Sequence, residues 1–173
     1  VDFNKNELDE NKEEYLVHIS KCGNPYFIEW YFSYFEDNMI NHNIENCFYL
    51  LIKLGHFSQA LNIYNKFKNN DLFEIDLYKK NFELLLFVIK QDNLEMTKWF
   101  FENMDVQNKI KFSINFEYHH YILNITENDN VNILDYIFKL YKIDDKIIIR
   151  KSIGITLRKN KPQCLTYLFK IYD

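Results

Sequence analysis

One phrase recurs five times along this chain, and it limits the folds open to it more than any other feature. Each copy begins at a turn-forming residue: Gly23, Gly55, Asp92, Asp129 or Asn160, at steps of 31 to 37 residues. Positions can be counted from that residue. The second holds Pro25, Phe57, Leu94, Val131 or Pro162, and prolines there suit a first helical turn, where no backbone donor is lost. Positions eight and nine are large and apolar: Tyr31-Phe32, Ile63-Tyr64, Phe100-Phe101, Ile137-Phe138 and Leu168-Phe169. Position twelve is aromatic or Met, as Phe35, Phe67, Met104, Tyr141 and Tyr172, so the set shares one face of a helix at 3.6-residue spacing.

Upstream of each turn residue lies a second apolar block, Tyr15 to Ser20, Cys47 to Ile52, Leu84 to Ile89, Tyr121 to Thr126 and Ser152 to Leu157. Each predicts a first helix. A hairpin of two such helices cannot bury its apolar face alone, and stacking copies every ~30 to 40 residues solves that problem. The expected fold is all-α, an α-solenoid of about five stacked helix-turn-helix repeats over residues 15–173. The predicted core is Phe32, Leu51, Ile63, Phe67, Val88, Phe100, Ile125, Ile137, Leu157 and Leu168.

Polar linkers of uneven length separate the hairpins. In the third, Ile110, Phe112, Ile114 and Phe116 alternate with polar residues, a period of two that predicts a short extended finger. Residues 1–14 hold six acidic side chains against Lys5 and Lys12 and read as a polar N-terminal cap or lead-in to the first helix. The ends of the chain suggest a fragment of a longer array.

The chain has 173 residues, 47% of them hydrophobic, enough for a sizeable core. A formal net charge of -4 argues against a surface built as a whole to coat nucleic acid. No apolar run approaches the ~20 residues of a membrane helix, and no signal peptide is visible, so a cytoplasmic location without membrane attachment is expected. Cys22, Cys47 and Cys164 are widely spaced in apolar patterns and read as small buried hydrophobes. Asn124-Ile125-Thr126 matches a glycosylation sequon by coincidence in a helical stretch.

Motifs for chemistry were sought by spacing. A phosphate-binding Gly-rich loop, a Gly-x-Ser-x-Gly elbow, His-Glu-x-x-His and Cys-x-x-Cys are all missing. Adjacent His119 and His120 diverge by about 100° on a helix and cannot share a metal. His18 and Cys22 lie one turn apart, but further ligands would have to come from elsewhere, such as His42 or Cys47. Glu13-Glu14 and Asp144-Asp145 fall in polar stretches with no apolar pocket to shift their pKa values. No catalytic, cofactor-binding or metal-binding residues are assigned, and no enzyme is expected.

The phrases "GNPYFIEWYF", "DNLEMTKWFF", "DNVNILDYIF" and "NKPQCLTYLF" resemble the second helix of divergent ankyrin repeats, and "GHFSQALNIY" keeps a Gly-His opening. The resemblance spans about Tyr15 to Tyr172. The Thr-Pro-Leu-His opening of an ankyrin first helix is absent, and no Gly follows any second helix. "LIKLGHFSQALNIYNKFKNND" is also similar to a pentatricopeptide repeat, with Gly55, Ala60, Ile63, Tyr64 and Phe67 in matching places; tetratricopeptide arrays share the spacing. The ankyrin likeness implies a non-catalytic protein-protein interaction scaffold. The pentatricopeptide likeness implies single-stranded RNA binding, for which repeated basic specificity residues are missing. A structural subunit of a larger assembly is the remaining reading.

Two groups of residues are candidates for partner binding. Trp30, Trp99, Tyr136 and Tyr167 share position seven and form either a packing ladder between repeats or a recognition stripe. From Lys146 to Tyr172 the chain carries seven basic residues and no acidic one. Arg150, Arg158, Lys159 and Lys161 in that span would suit an acidic partner, because a guanidinium grips a carboxylate or phosphate with two parallel bonds.

Overall fold

The structure is a computed structural model and describes residues 11–34, 41–69, 75–117, 125–126, 128–143 and 146–172. It is all-helical, with no strand among the described residues. The chain divides into two compact units, Val1–Leu77 and Tyr78–Asp173. The first holds α1 (Lys12–Cys22), α2 (Pro25–Tyr34), α3 (Asn41–Lys53) and α4 (Phe57–Phe67). The second holds α5 (Lys79–Lys90), α6 (Leu94–Glu102), α7 (Val106–Glu117), α8 (Val131–Tyr141), α9 (Lys146–Lys159) and α10 (Pro162–Tyr172).

All five turn residues adopt the left-handed backbone: φ is 63° at Gly23, 81° at Gly55, 55° at Asp92, 60° at Asp129 and 52° at Asn160. Gly does this without steric cost, and Asn and Asp are the side-chain-bearing residues that tolerate it best. Four of the turns close the same pair of backbone bonds. The turn amide reaches a carbonyl three residues back and the next amide reaches one five back: Gly55 to Ile52 and His56 to Leu51, Asp92 to Ile89 and Asn93 to Val88, Asp129 to Thr126 and Asn130 to Ile125, Asn160 to Leu157 and Lys161 to Thr156, all at 2.8–3.3 Å. This Schellman arrangement satisfies carbonyls that a helix end would leave unpaired. It also sets register, because the acceptors of the longer bond, Leu51, Val88, Ile125 and Thr156, are all fully buried.

That register corrects one core expectation. Leu157 is 56% exposed, and the buried position belongs to Thr156. Its hydroxyl donates to the carbonyls of Ser152 and Ile153 at 3.0 and 2.9 Å, so a polar residue can occupy the core with its donor satisfied. Leu157, one residue on, is turned about 100° away. Phe32, Leu51, Ile63, Phe67, Val88, Phe100, Ile125, Ile137 and Leu168 are buried.

Every second helix begins at position two, on Pro25, Phe57, Leu94, Val131 and Pro162. At α6 the Asn93 side chain accepts the Met96 amide at 2.9 Å, and Asn24 accepts Tyr26 at 3.0 Å at the start of α2. At α10 the cap comes from the preceding turn: the Asp129 carboxylate accepts the amides of Gln163 and Cys164 at 3.1 and 2.8 Å. Asn130 likewise donates to the Ile89 carbonyl at 2.9 Å and Asn128 to that of Lys90, and His56 Nε2 meets the Lys21 carbonyl at 3.3 Å. Residues next to each turn therefore tie hairpins together within each unit.

The extended finger expected around Ile110 to Phe116 is instead α7. Asp105 starts it, with Oδ1 accepting the Asn108 amide at 2.7 Å and Oδ2 the Asn108 side chain at 2.6 Å. These bonds hold the Asp105 carboxyl below its ordinary pKa. Phe112 anchors the helix in a ring cluster, 4.9 Å from Phe101, 5.4 Å from Phe82 and 6.0 Å from Tyr141, and Ile110 faces out.

Cys47 and Cys164 are buried, and Cys22 is exposed, contrary to expectation, at the end of α1. His119, His120, Asp144, Asp145 and all but residues 11–14 of the N-terminal segment lie outside the described residues.

Candidate interaction surfaces

Within each unit, α1 packs against α3, and the second helices α6, α8 and α10 pack in succession. Position eight of every second helix turns inward: Tyr31, Ile63, Phe100, Ile137 and Leu168 are at most 3% exposed. Position seven, one residue earlier, falls at the margin of that buried face and can reach the neighbouring helix.

Tyr136 and Tyr167 use that placement for packing. Tyr136 lies 5.9 Å from Phe101 and Tyr167 6.3 Å from Phe138, each resting on position nine of the preceding hairpin. Lys98 Nζ sits 5.8 Å over the Tyr136 ring. Burial, and then the nearby Asp135 carboxylate, push the Tyr167 phenol well above its ordinary pKa. Phe169, at position nine of the fifth hairpin, is 46% exposed. Trp99 is half-buried, edge-on to Phe100 at 5.2 Å.

Trp30 differs. It is exposed, stacks on Tyr34 at 5.4 Å, and belongs to a larger aromatic face. Tyr26, Phe27, Trp30 and Tyr34 are all exposed, Tyr26 by 79%, and they span about 100° of α2 opposite the buried Ile28, Tyr31 and Phe32. Sequence reasoning picked only Trp30 from this set. The available signal was the helix itself: "PYFIEWYFSY" has only Glu29 and Ser33 to build a polar stripe, so a two-helix hairpin must leave apolar side chains outside.

The basic candidates do not form one site. Arg150 and Arg158 lie eight residues apart on α9, about 12 Å along its axis. Arg150 donates to the Tyr172 hydroxyl and lies 5.4 Å over that ring, with Lys146 Nζ 5.2 Å over it. Arg158 and Lys159 occupy the last turn of α9, where cations complement the helix C-terminus, and Lys161 is half-buried beyond it.

Among the described residues no group of three or more His, Cys, Asp or Glu could hold a metal ion. His18 faces Glu14 at 3.6 Å. No described helix is long and apolar enough to cross a membrane. No family model, curated protein or solved structure matches this chain.

Proposed function

We propose that the chain is a helical-repeat scaffold of ankyrin-like type that binds a protein partner and performs no chemistry of its own. The observation that carries the reading is the aromatic face of α2. Four exposed rings on one ten-residue helix make an apolar patch of the kind that soluble proteins reserve for contacts, and tyrosine and tryptophan are the residues most enriched where binding energy concentrates. The recurrent left-handed turns and the packing of position seven on position nine support the repeat reading, since they hold a core constant while outward side chains vary. The basic end at Arg158, Lys159 and Lys161 would serve an acidic segment of a partner.

Affinity capture from the native cell, followed by mass spectrometry, tests this with the wild-type chain and a Tyr26→Ser, Trp30→Ser double variant. The wild type should retain a protein that the variant loses, with circular dichroism unchanged. Equal capture by both would place the contact elsewhere, and hydrolytic or transfer activity in the purified chain would overturn the non-catalytic reading.

A further inference from the structure

The packing of position seven on position nine, seen at Tyr136 and Tyr167, is not made in the second hairpin. In the second hairpin that position is Asn62, exposed on α4, where other hairpins carry Trp or Tyr. A groove of about 490 Å³ opens there between α2 and α4. Its floor is Ile28, Phe32 and Ile63, with Phe32 at position nine of the first hairpin, the place taken by Phe101 under Tyr136 and by Phe138 under Tyr167. The rim includes Glu29, Gln59, Asn62 and Lys66.

The second unit shows what fits such a place. At position six of the supporting hairpin stands the residue nearest the incoming ring: Lys98 over Tyr136, and Asp135, whose carboxylate lies near the Tyr167 hydroxyl. The corresponding residue beside the groove is Glu29, a carboxylate like Asp135. We propose that this groove receives a tyrosine side chain presented by a partner polypeptide, its ring lying over the Ile28, Phe32 and Ile63 floor and its hydroxyl donating to the Glu29 carboxylate.

Three points select that occupant. The apolar floor matches an aromatic face, and the stems of Gln59 and Lys66 can cover its edges. A carboxylate at the rim favours a ring with a donor at its tip, since a hydrogen bond to a charged group is about twice as strong as a neutral one. In both occupied places the ring is delivered by a neighbouring helix, so the groove suits a side chain carried on a polypeptide. The amide of Asn62 is too short to reach across as a tyrosine does, and it leaves the place open. The inference rests on the scaffold reading, and it specifies one anchor of the partner.

The test is a titration of the ¹⁵N-labelled chain with N-acetyltyrosinamide, N-acetylphenylalaninamide and N-acetylleucinamide, followed by amide shifts. Saturable shifts at the side-chain amides of Gln59 and Asn62, with a Kd in the millimolar range for the tyrosine probe and about tenfold weaker binding of phenylalanine, are expected. Glu29→Gln should remove most of that preference without touching the phenylalanine affinity. Asn62→Tyr should raise the melting temperature by filling the groove and should abolish shifts from either aromatic probe. Absence of shifts, equal response to the leucine probe, or a lower melting temperature in Asn62→Tyr would overturn the proposal. A concentration-dependent dimer lost in Tyr26→Ser would also overturn it, since the tyrosine would then come from a second copy. In the capture experiment, a partner held equally by wild type and Asn62→Tyr would remove the groove from the interface and leave the scaffold standing, whereas the absence of any wild-type partner would remove the scaffold reading itself.

Discussion

The imidazole of His56 fills the space that a β-carbon on Gly23 would need: such an atom would come within 2.4 Å of the ring. Gly23 therefore answers two demands, a φ of 63° and the close approach of the second hairpin. Gly55 answers only the first, with φ 81° and nothing within 4 Å of an added β-carbon. Gly55→Ala should cost about 1 kcal/mol from backbone strain alone, and Gly23→Ala about 2 to 3 kcal/mol. Adding His56→Ala should recover part of the second loss while giving up the contact to the Lys21 carbonyl. Urea midpoints of the three variants check this; equal losses for the two glycines would show that the imidazole moves aside freely.

The place of each turn was legible in the sequence because left-handed residues are chemically restricted. Gly, Asp and Asn recur where the apolar pattern resets, and proline or an apolar residue two places later starts the next helix. What failed has equally physical causes. Leu157 outranks Thr156 in hydrophobicity, so pattern alone favoured the wrong residue, yet the hydroxyl of Thr156 finds acceptors in its own helix. The alternation from Ile110 to Phe116 covers four apolar residues, too few to outweigh the cap that Asp105 makes with Asn108. The groove could have been read from Asn62, the one position-seven residue without a ring. Glu29 as its counterpart to Asp135 required the structure.

Tyr167 and Trp30 both stand at position seven of a second helix but should respond differently to truncation. Tyr167 packs on Phe138 with the Asp135 carboxylate near its hydroxyl, so Tyr167→Ala should cost about 2 to 4 kcal/mol. Trp30 is 38% exposed and stacks on Tyr34 of its own helix, so Trp30→Ala should cost less than about 1.5 kcal/mol while weakening partner capture. Thermal melts and capture on the same two variants separate packing from recognition. A Trp30→Ala chain as destabilised as Tyr167→Ala would make the α2 rings a structural element.

Alkaline pH should weaken the first unit from within. Burial pushes the Cys47 thiol up to about 11 from an ordinary 9.0, partly offset by its hydrogen bond with Ser20, and pushes the Tyr31 phenol up to about 12 from 10.0. Both groups are neutral when protonated, so the folded state holds their protons longer than the unfolded chain. Their contribution is fully present below pH 9 and is lost as the pH rises through the folded pKa values, so urea midpoints should fall between pH 9 and 12. Cys47→Ala should flatten the pH 9 to 11 part of that decline, whatever it costs at neutral pH. At pH 8 exposed Cys22 should react with a disulfide reagent at once, while Cys47 and Cys164 should wait for unfolding. Three equally fast thiols would contradict the burial of α3 and α10.

The two arginines of α9 should divide between stability and binding. Arg150 donates to the Tyr172 hydroxyl and lies over its ring, so it joins α9 to the end of α10. Arg150→Glu forfeits the bond and the cation-ring attraction, and it should cost about 1 to 2 kcal/mol. Arg158 is exposed in the last turn of the same helix, and its reversal to Glu should stay within about 1 kcal/mol, with a share from the lost complement to the helix C-terminus. Any attraction of this end for an acidic segment should follow the reverse order, because Arg158 has Lys159 and Lys161 beside it in sequence whereas the guanidinium of Arg150 is already held by Tyr172. Titration with an acidic peptide at low and physiological salt should give affinity that falls as salt rises and that Arg158→Glu reduces more than Arg150→Glu does. Single-stranded RNA and duplex DNA in parallel distinguish the ligand, since binding to either would fall steeply with salt through counterion release. If Arg150→Glu proves the more damaging to peptide binding with its fold intact, the contact lies along the middle of α9 and not at its end.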